Sequence, residues 1–195
     1  IIHTINFEEI QRIKNLKDLP EELETTRKWM LIGFYSGQRV SDLLKLTGAQ
    51  VRHAINGVYI DLIQQKTGKH VTIGISDPTT INILKEDFPK PTSAILFNRQ
   101  IKEVCMKAGM VARFKGYKPN PESRRKELGV FPKHELICAH DLRRSFATNY
   151  FGKVETPILM QITGHSKEST FLSYIGANHN KDAIADAFML KAANL

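Results

Sequence analysis

The stretch VRHAINGVYIDLIQ, residues 51–64, limits the fold more than any other part of the chain. β-Branched and aromatic residues gather on either side of Asn56-Gly57, which marks a β-hairpin, and Asn-Gly suits a type I′ turn. A second turn at Lys66–Lys69, with Gly68, leads to a third strand, HVTIGI. The surrounding sequence repeats at the helical period instead. Asn6 with Glu9 resembles a capping box that opens a helix through Ile10 and Ile13 to about Leu16. Pro20 starts a second helix, EELETTRKWMLIGFYSG, ended by Gly37. RVSDLLKL continues as a third, with Val40, Leu43, Leu44 and Leu46 facing inward. Helices return around PTTINILKED, NRQIKEVCMKAGM, AHDLRRSFATNY, ETPILMQITG, SKESTFLSYIG and KDAIADAFMLKAANL. The expected fold is mainly α with one small antiparallel β-sheet, an α+β class.

At 195 residues the chain is long enough for one sizeable core. No run approaches the roughly 18 apolar residues of a membrane span. The amino terminus, IIHTINFEEI, has neither an initiator Met nor a signal pattern and reads as the start of an excised domain. Cys105 and Cys138 lack metal-ligand spacing and read as buried thiols of a reducing cytoplasm. The 28 Lys and Arg against 20 Asp and Glu leave a net charge of +8, which favours a polyanionic partner, nucleic acid ahead of anionic lipid. Residues 113–133, RFKGYKPNPESRRKELGVFPK, hold seven Lys or Arg against two Glu, with Phe114, Tyr117 and Phe131 interleaved. A solvated loop is the default for such a run; a mobile DNA-contacting segment is the sharper reading.

In AHDLRRSFATNY, residues 139–150, helical pitch puts Leu142, Phe146 and Tyr150 on one face and His140, Arg143 and Ala147 on the face beside it. A His and an Arg at the edge of an apolar stripe suggest a polar pocket. Equally, Arg143 could snorkel over the core while His140 caps the helix. Arg39 precedes Asp42 by one turn, either as an ordinary ion pair of a few tenths of a kcal/mol or as a guanidinium held for a phosphate. Lys66 sits at a hairpin tip, either solvated or carried onto a leaving oxygen. Gly164 permits a turn before His165, Ser166 is a candidate N-cap, and Tyr174 follows late in that helix.

Taken in order, Arg39, Lys66, His140-x-x-Arg143, Gly164-His165 and Tyr174 resemble the tyrosine recombinase (phage integrase) family. The matching stretches are SGQRVSDLLKL, QQKTGKH, AHDLRRSFATNY and LMQITGHSKESTFLSYI, spanning residues 30 to 176. The resemblance is nearest to integrases of bacterial mobile elements such as conjugative transposons and prophages. It implies a site-specific recombinase that cuts and rejoins DNA through a 3′-phosphotyrosyl intermediate, without cofactor, metal or ATP. Tyr174 would be the nucleophile, Arg39 and Arg143 the phosphate clamps with Asp42 in support, and Lys66 the general acid on the 5′ oxygen. His140 and His165 would add hydrogen bonds, with His140 also a candidate acceptor for the Tyr174 proton.

A tyrosine's reference pKa of about 10 leaves well under ~1% phenolate at neutral pH, and the cationic pocket is expected to lower it. Losing either arginine should cost ~100- to 1,000-fold in rate, by analogy with oxyanion-hole donors. Lys69, Arg113, Lys115, Lys118, Arg124, Arg125, Lys126 and Arg144 are the candidate DNA contacts. Residues 1–179 form the expected catalytic domain. Residues 180–195 form a terminal helix that docks on a neighbouring protomer through Ile184, Phe188 and Leu190, or packs as an intramolecular core helix. The family implies an upstream core-binding domain absent from this chain, double-stranded DNA as partner, a tetrameric synapse, accessory factors, no membrane, and a cytoplasmic location on the bacterial nucleoid. The alternatives are a type IB topoisomerase, a non-catalytic DNA-binding accessory protein, and an HD-type metal phosphohydrolase built on AHD, which lacks further metal ligands in the sequence.

Overall fold

Helix α2, Glu21–Ser36, is charged in its first half but apolar on nearly every side from Trp29 on, and that second half becomes the axis of the core. Trp29, Met30, Leu31, Ile32 and Phe34 are all buried. The computed structural model describes residues 1–120, 123, 125–177 and 181–193. Around α2 pack α1, Phe7–Lys14, with its Asn6–Glu9 capping box, and α4, Pro78–Glu86, capped by Asp77. α5, Ala94–Lys107, and α7, Ala139–Tyr150, complete the ring. α5 begins at its Ser93 cap, earlier than NRQIKEV suggests. The third helix, α3, is a single turn over Val40–Leu43, yet Leu43 and Leu46 are buried as expected.

Strands β1, Val51–Ala54, β2, Gly57–Ile63, and β3, His70–Ile75, form an antiparallel sheet in that order. Ala54 pairs with Gly57, so Ile55 and Asn56 make the turn. Asp18 is the only described non-glycine residue with positive φ, so this is not the type I′ turn that Asn-Gly suggested. A β-branched Ile55 resists the left-handed backbone that such a turn requires.

Most of the basic segment is strand rather than loop. β4, Arg113–Pro119, pairs with β5, Lys126–Pro132, as a second, two-stranded ribbon, so the fold holds two small sheets rather than one. Its inner face lies on α6, Lys133–Leu136. A Cβ added at Gly116 would overlap the Leu136 methyls, so the glycine lets the ribbon cross that helix closely.

α8, Thr156–Thr163, and α9, Glu168–Ile175, build a second small core from Leu159, Phe171 and Ile175. α7 joins the two cores, with Leu142 in the first and Phe146 in the second. The N-cap of α9 is Lys167, one residue beyond the expected Ser166. α10, Lys181–Ala192, leaves Phe188 and Leu190 72% and 71% exposed, so neither serves an intramolecular core; the Ile184 side chain falls outside the described residues. Cys105 is fully buried and Cys138 only partly, with burial raising their thiol pKa values to about 12 and about 11. Among the described residues no helix is long and apolar enough to cross a membrane.

Candidate active site

The seam between the two cores is where the polar set gathers. Arg143 does not snorkel; it is 2% exposed, and its guanidinium donates to the carbonyl oxygens of Gly37, at 3.0 Å, and Thr163. It thereby ties the end of α2 to the end of α8. Burial, with Arg39 nearby, lowers its pKa to about 10, so it stays charged at neutral pH. Each terminal nitrogen of a guanidinium carries two hydrogens, so donors remain for an anion.

Arg39 is half-buried, and its Nη1 is enclosed without a hydrogen-bond partner. It makes no ion pair with Asp42. Asp42, 6% exposed, instead accepts from the backbone N–H of Gln65 at 3.0 Å, while its second carboxylate oxygen is unpartnered. Asp42 therefore steadies the β2–β3 turn that carries Lys66, rather than the guanidinium one turn before it. Lys66 itself is exposed, with no bond to any described residue. Lys69 closes that turn, its carbonyl accepting from Gln64 N–H at 2.9 Å, and its charge bears on His165.

Tyr174 lies in the same chain's pocket. Its ring is 5.4 Å from His140 edge-on and 5.1 Å from His165, centroid to centroid. The Arg143 and Arg144 guanidinium carbons stand 6.0 and 4.7 Å from its centre. The hydroxyl is buried and meets no well-aligned hydrogen-bond partner, although the Arg143 guanidinium lies within its reach. Its pKa is raised, not lowered as the cationic surroundings suggested, because loss of solvation outweighs the pull of Arg143 and Arg144. The phenol is therefore protonated in the free protein and needs an acceptor to become a nucleophile.

Two acceptors flank it. Desolvation, followed by the charge of Arg144, lowers the His140 pKa. His140 sits at the rim as the second residue of α7 and does not cap the helix; Cys138 holds that place, bonded through Asp141. Burial, then Arg143, Arg39 and Lys69, brings His165 to about 4. Both imidazoles are neutral at physiological pH.

Arg144, a candidate DNA contact, is engaged within the protein. Its Nε donates to the Tyr174 carbonyl at 3.1 Å and Nη1 pairs with Asp141 at 3.6 Å, so it holds the α9 backbone in place. Arg113, Lys115, Arg125 and Lys126 are exposed on the ribbon. Lys118 folds back onto Glu135, at 2.5 Å, and over the Phe131 ring. Arg124 lies outside the described residues.

Two glutamines escaped the sequence reading. Gln64 and Gln38, both buried, bond to each other at 2.9 Å and each donates to the Ile162 carbonyl at 3.0 Å. They lock the Arg39 loop, the Lys66 turn and the end of α8 together. Gly164, at φ +69°, lies against Gln64 so closely that a Cβ would overlap its amide. The sequence signal was an amide beside each suspected site residue, Gln38 before Arg39 and Gln64 two before Lys66. Among the described residues no three His, Cys, Asp or Glu side chains are grouped to hold a metal ion, which leaves the metal phosphohydrolase alternative without a donor set.

The sequence pattern of the phage integrase family matches residues 3–181. No curated protein matches the chain in sequence. Among solved structures, the XerH site-specific recombinase bound to a palindromic difH substrate, in a post-cleavage complex, superposes with a TM-score of 0.63 at 16% identity, over 94% of this chain and 52% of that one. The catalytic core of lambda integrase gives 0.54 at 19% identity, over 85% and 92%. A lambda integrase tetramer bound to a Holliday junction gives 0.57 at 17%, over 90% and 48%. The chain thus spans about half the length of the XerH chain it matches.

Proposed function

The chain belongs to the phage integrase family, and from that premise we propose that it is the catalytic domain of a site-specific DNA recombinase whose nucleophile is Tyr174. The observation that carries this reading is a buried phenol set against His140, Arg143 and Arg144 of α7 and His165 after α8, with Arg39 close to Arg143. Phosphoryl transfer asks a protein mainly for positioning and charge stabilisation. Arg39 and Arg143 supply permanent cations for the equatorial oxygens of the scissile phosphate. The Tyr174 oxygen attacks phosphorus, its proton passing to a neighbouring imidazole, with His140 the residue the family resemblance assigns. Lys66 swings in on its turn and protonates the departing 5′ oxygen. The 3′-phosphotyrosyl bond conserves the energy of the broken linkage, so rejoining needs no nucleotide.

Double-stranded DNA is the partner, met by the exposed cations of the β4–β5 ribbon and the Lys69 turn. Residues 1–179 act as the catalytic domain beside an upstream DNA-clamping domain, and residues 180–195 reach a neighbouring protomer in a tetrameric synapse on the bacterial nucleoid.

Covalent trapping tests the reading. The protein is incubated in EDTA with a nicked suicide duplex carrying its element's junction, and the products are run on a denaturing gel. An SDS-resistant, protease-sensitive adduct that disappears in Tyr174→Phe is expected. A DNA mobility shift without any adduct would instead make the chain a non-catalytic accessory protein.

A further inference from the structure

His165 is held by a residue that the chemistry above does not use. Thr163 is fully buried, and its hydroxyl lies 2.6 Å from the Leu159 carbonyl and 2.8 Å from His165 Nδ1. A hydroxyl has a single hydrogen. The short approach to a carbonyl, which can only accept, takes that hydrogen. The hydroxyl oxygen is then left as an acceptor toward the imidazole, so Nδ1 must carry the ring proton. The ring plane is fixed as well, packed between Phe171, 5.4 Å away and edge-on, and Tyr174. We propose that Thr163 is a positioning residue that locks His165 in its Nδ1–H tautomer and leaves Nε2 as a bare lone pair.

This lock sets what His165 can do. A neutral imidazole protonated at Nδ1 accepts through Nε2 and cannot donate from it. The charged groups around the ring, Arg143 on α7, Arg39 before α3 and Lys69 on the β2–β3 turn, all oppose a second proton. In the free protein His165 therefore presents a lone pair at Nε2 and no hydrogen. It donates from Nε2 only once an anion offsets those cations and the ring takes up a proton, so the lock leaves Nε2, and not Nδ1, for an incoming phosphate. The bearing of this on cleavage rests on Tyr174 being the nucleophile.

Long-range proton–nitrogen NMR of histidine-labelled protein reads the tautomer directly, without DNA. With His165→Gln used to pick out one of the seven histidines, the wild type at neutral pH should show a protonated Nδ1 and a bare Nε2. Thr163→Ser should keep that pattern. Thr163→Val should lose it and slow adduct formation by about 10- to 100-fold, the scale seen when a partner that orients a histidine is removed, while Thr163→Ser restores the rate. An Nε2–H or averaged signal in the wild type overturns the lock, and needs no variant to fold. A normal adduct rate in Thr163→Val, with the tautomer lost, overturns the positioning role of Thr163 in cleavage. Absence of any adduct in the wild type, with the tautomer as expected, would count against the recombinase reading and not against the lock.

Discussion

Arg143 and Lys66 are assigned to two ends of one reaction, and the fold treats them in opposite ways. Arg143 is buried at the seam of two cores and bonded to two backbone carbonyls. Lys66 stands exposed on a turn with no described partner. A guanidinium in that position costs solvation, offset only because it satisfies carbonyl groups that would otherwise be buried unpaired. A lysine on a turn keeps its rotamer freedom, ~2 kcal/mol of entropy given up only when an anion fixes it. Under the proposed roles the phosphate-binding side is part of the fold, whereas the acid arrives with its substrate.

Removing each residue breaks the comparison at its strongest point. Arg143→Ala should lower the rate of adduct formation by at least ~100- to 1,000-fold and also destabilise the protein by about 2–5 kcal/mol, since two buried carbonyls lose their donor. Lys66→Ala should lower the rate by about 100-fold or more with stability unchanged within about 0.5 kcal/mol. Urea melts beside the trapping assay separate the two. Equal stability losses would show that the turn is as much a part of the fold as the seam.

Gly164→Ala probes the seam without touching a charge. The left-handed φ of +69° and the adjacent Gln64 amide make a cost of about 1–3 kcal/mol. The same displacement should loosen the Gln38–Gln64 link and slow cleavage, whereas alanine at Gly68, also at positive φ but with open space around it, should spare cleavage. A Gly164→Ala protein with unchanged urea midpoint and rate would refute the packing argument.

These contrasts follow the line between what the sequence made legible and what it did not. The helices, the first hairpin and the residues that the fold gathers at the seam, Arg39, His140, Arg143, His165 and Tyr174, were readable, because capping and motif spacing are local. Asp42 was misassigned for the same reason: spacing offered Arg39 one turn away, but the backbone N–H of Gln65, brought in by a distant strand, was the better partner. Arg144 looked like a surface charge because helical pitch turns it from Arg143, yet α9 returns to lie under it. The Tyr174 shift had the wrong sign in sequence because charge is visible there and burial is not. The ribbon at 113–132 was missed because two glycines and dense charge interrupt its alternation, and only the body beneath it explains Gly116.

Acid should weaken the buried side selectively. Desolvation and neighbouring cations depress His3, His140 and His165 in the folded protein, the last to about 4. In the unfolded chain all three take up protons near pH 6.5, so unfolding binds protons and stability must fall as pH drops from about 6.5 toward 4. Urea midpoints at pH 7 and pH 5 should differ accordingly, and His165→Gln should flatten the difference. A midpoint that rises on acidification would reverse the assigned sign.

The smallest effect is expected on the exposed side, at the ribbon. Lys115 and Lys126 are exposed, as is Arg113, whose Nη2 donates to the Val130 carbonyl at 2.6 Å, so changing all three to Gln should leave stability within about 0.5 kcal/mol and the cleavage rate of bound DNA unaltered. Binding should change through counterion release alone. Each phosphate that the protein no longer neutralises lowers the slope of log affinity against log salt by about 0.9, so removing three such cations would lower it by about 2.7. Lys118→Gln, on the same ribbon but held by Glu135, should not move the slope, because its charge is already neutralised within the fold. If Lys118 carries the salt dependence and the other three do not, the ribbon's inner face is the one that meets DNA, and it must leave the body to do so.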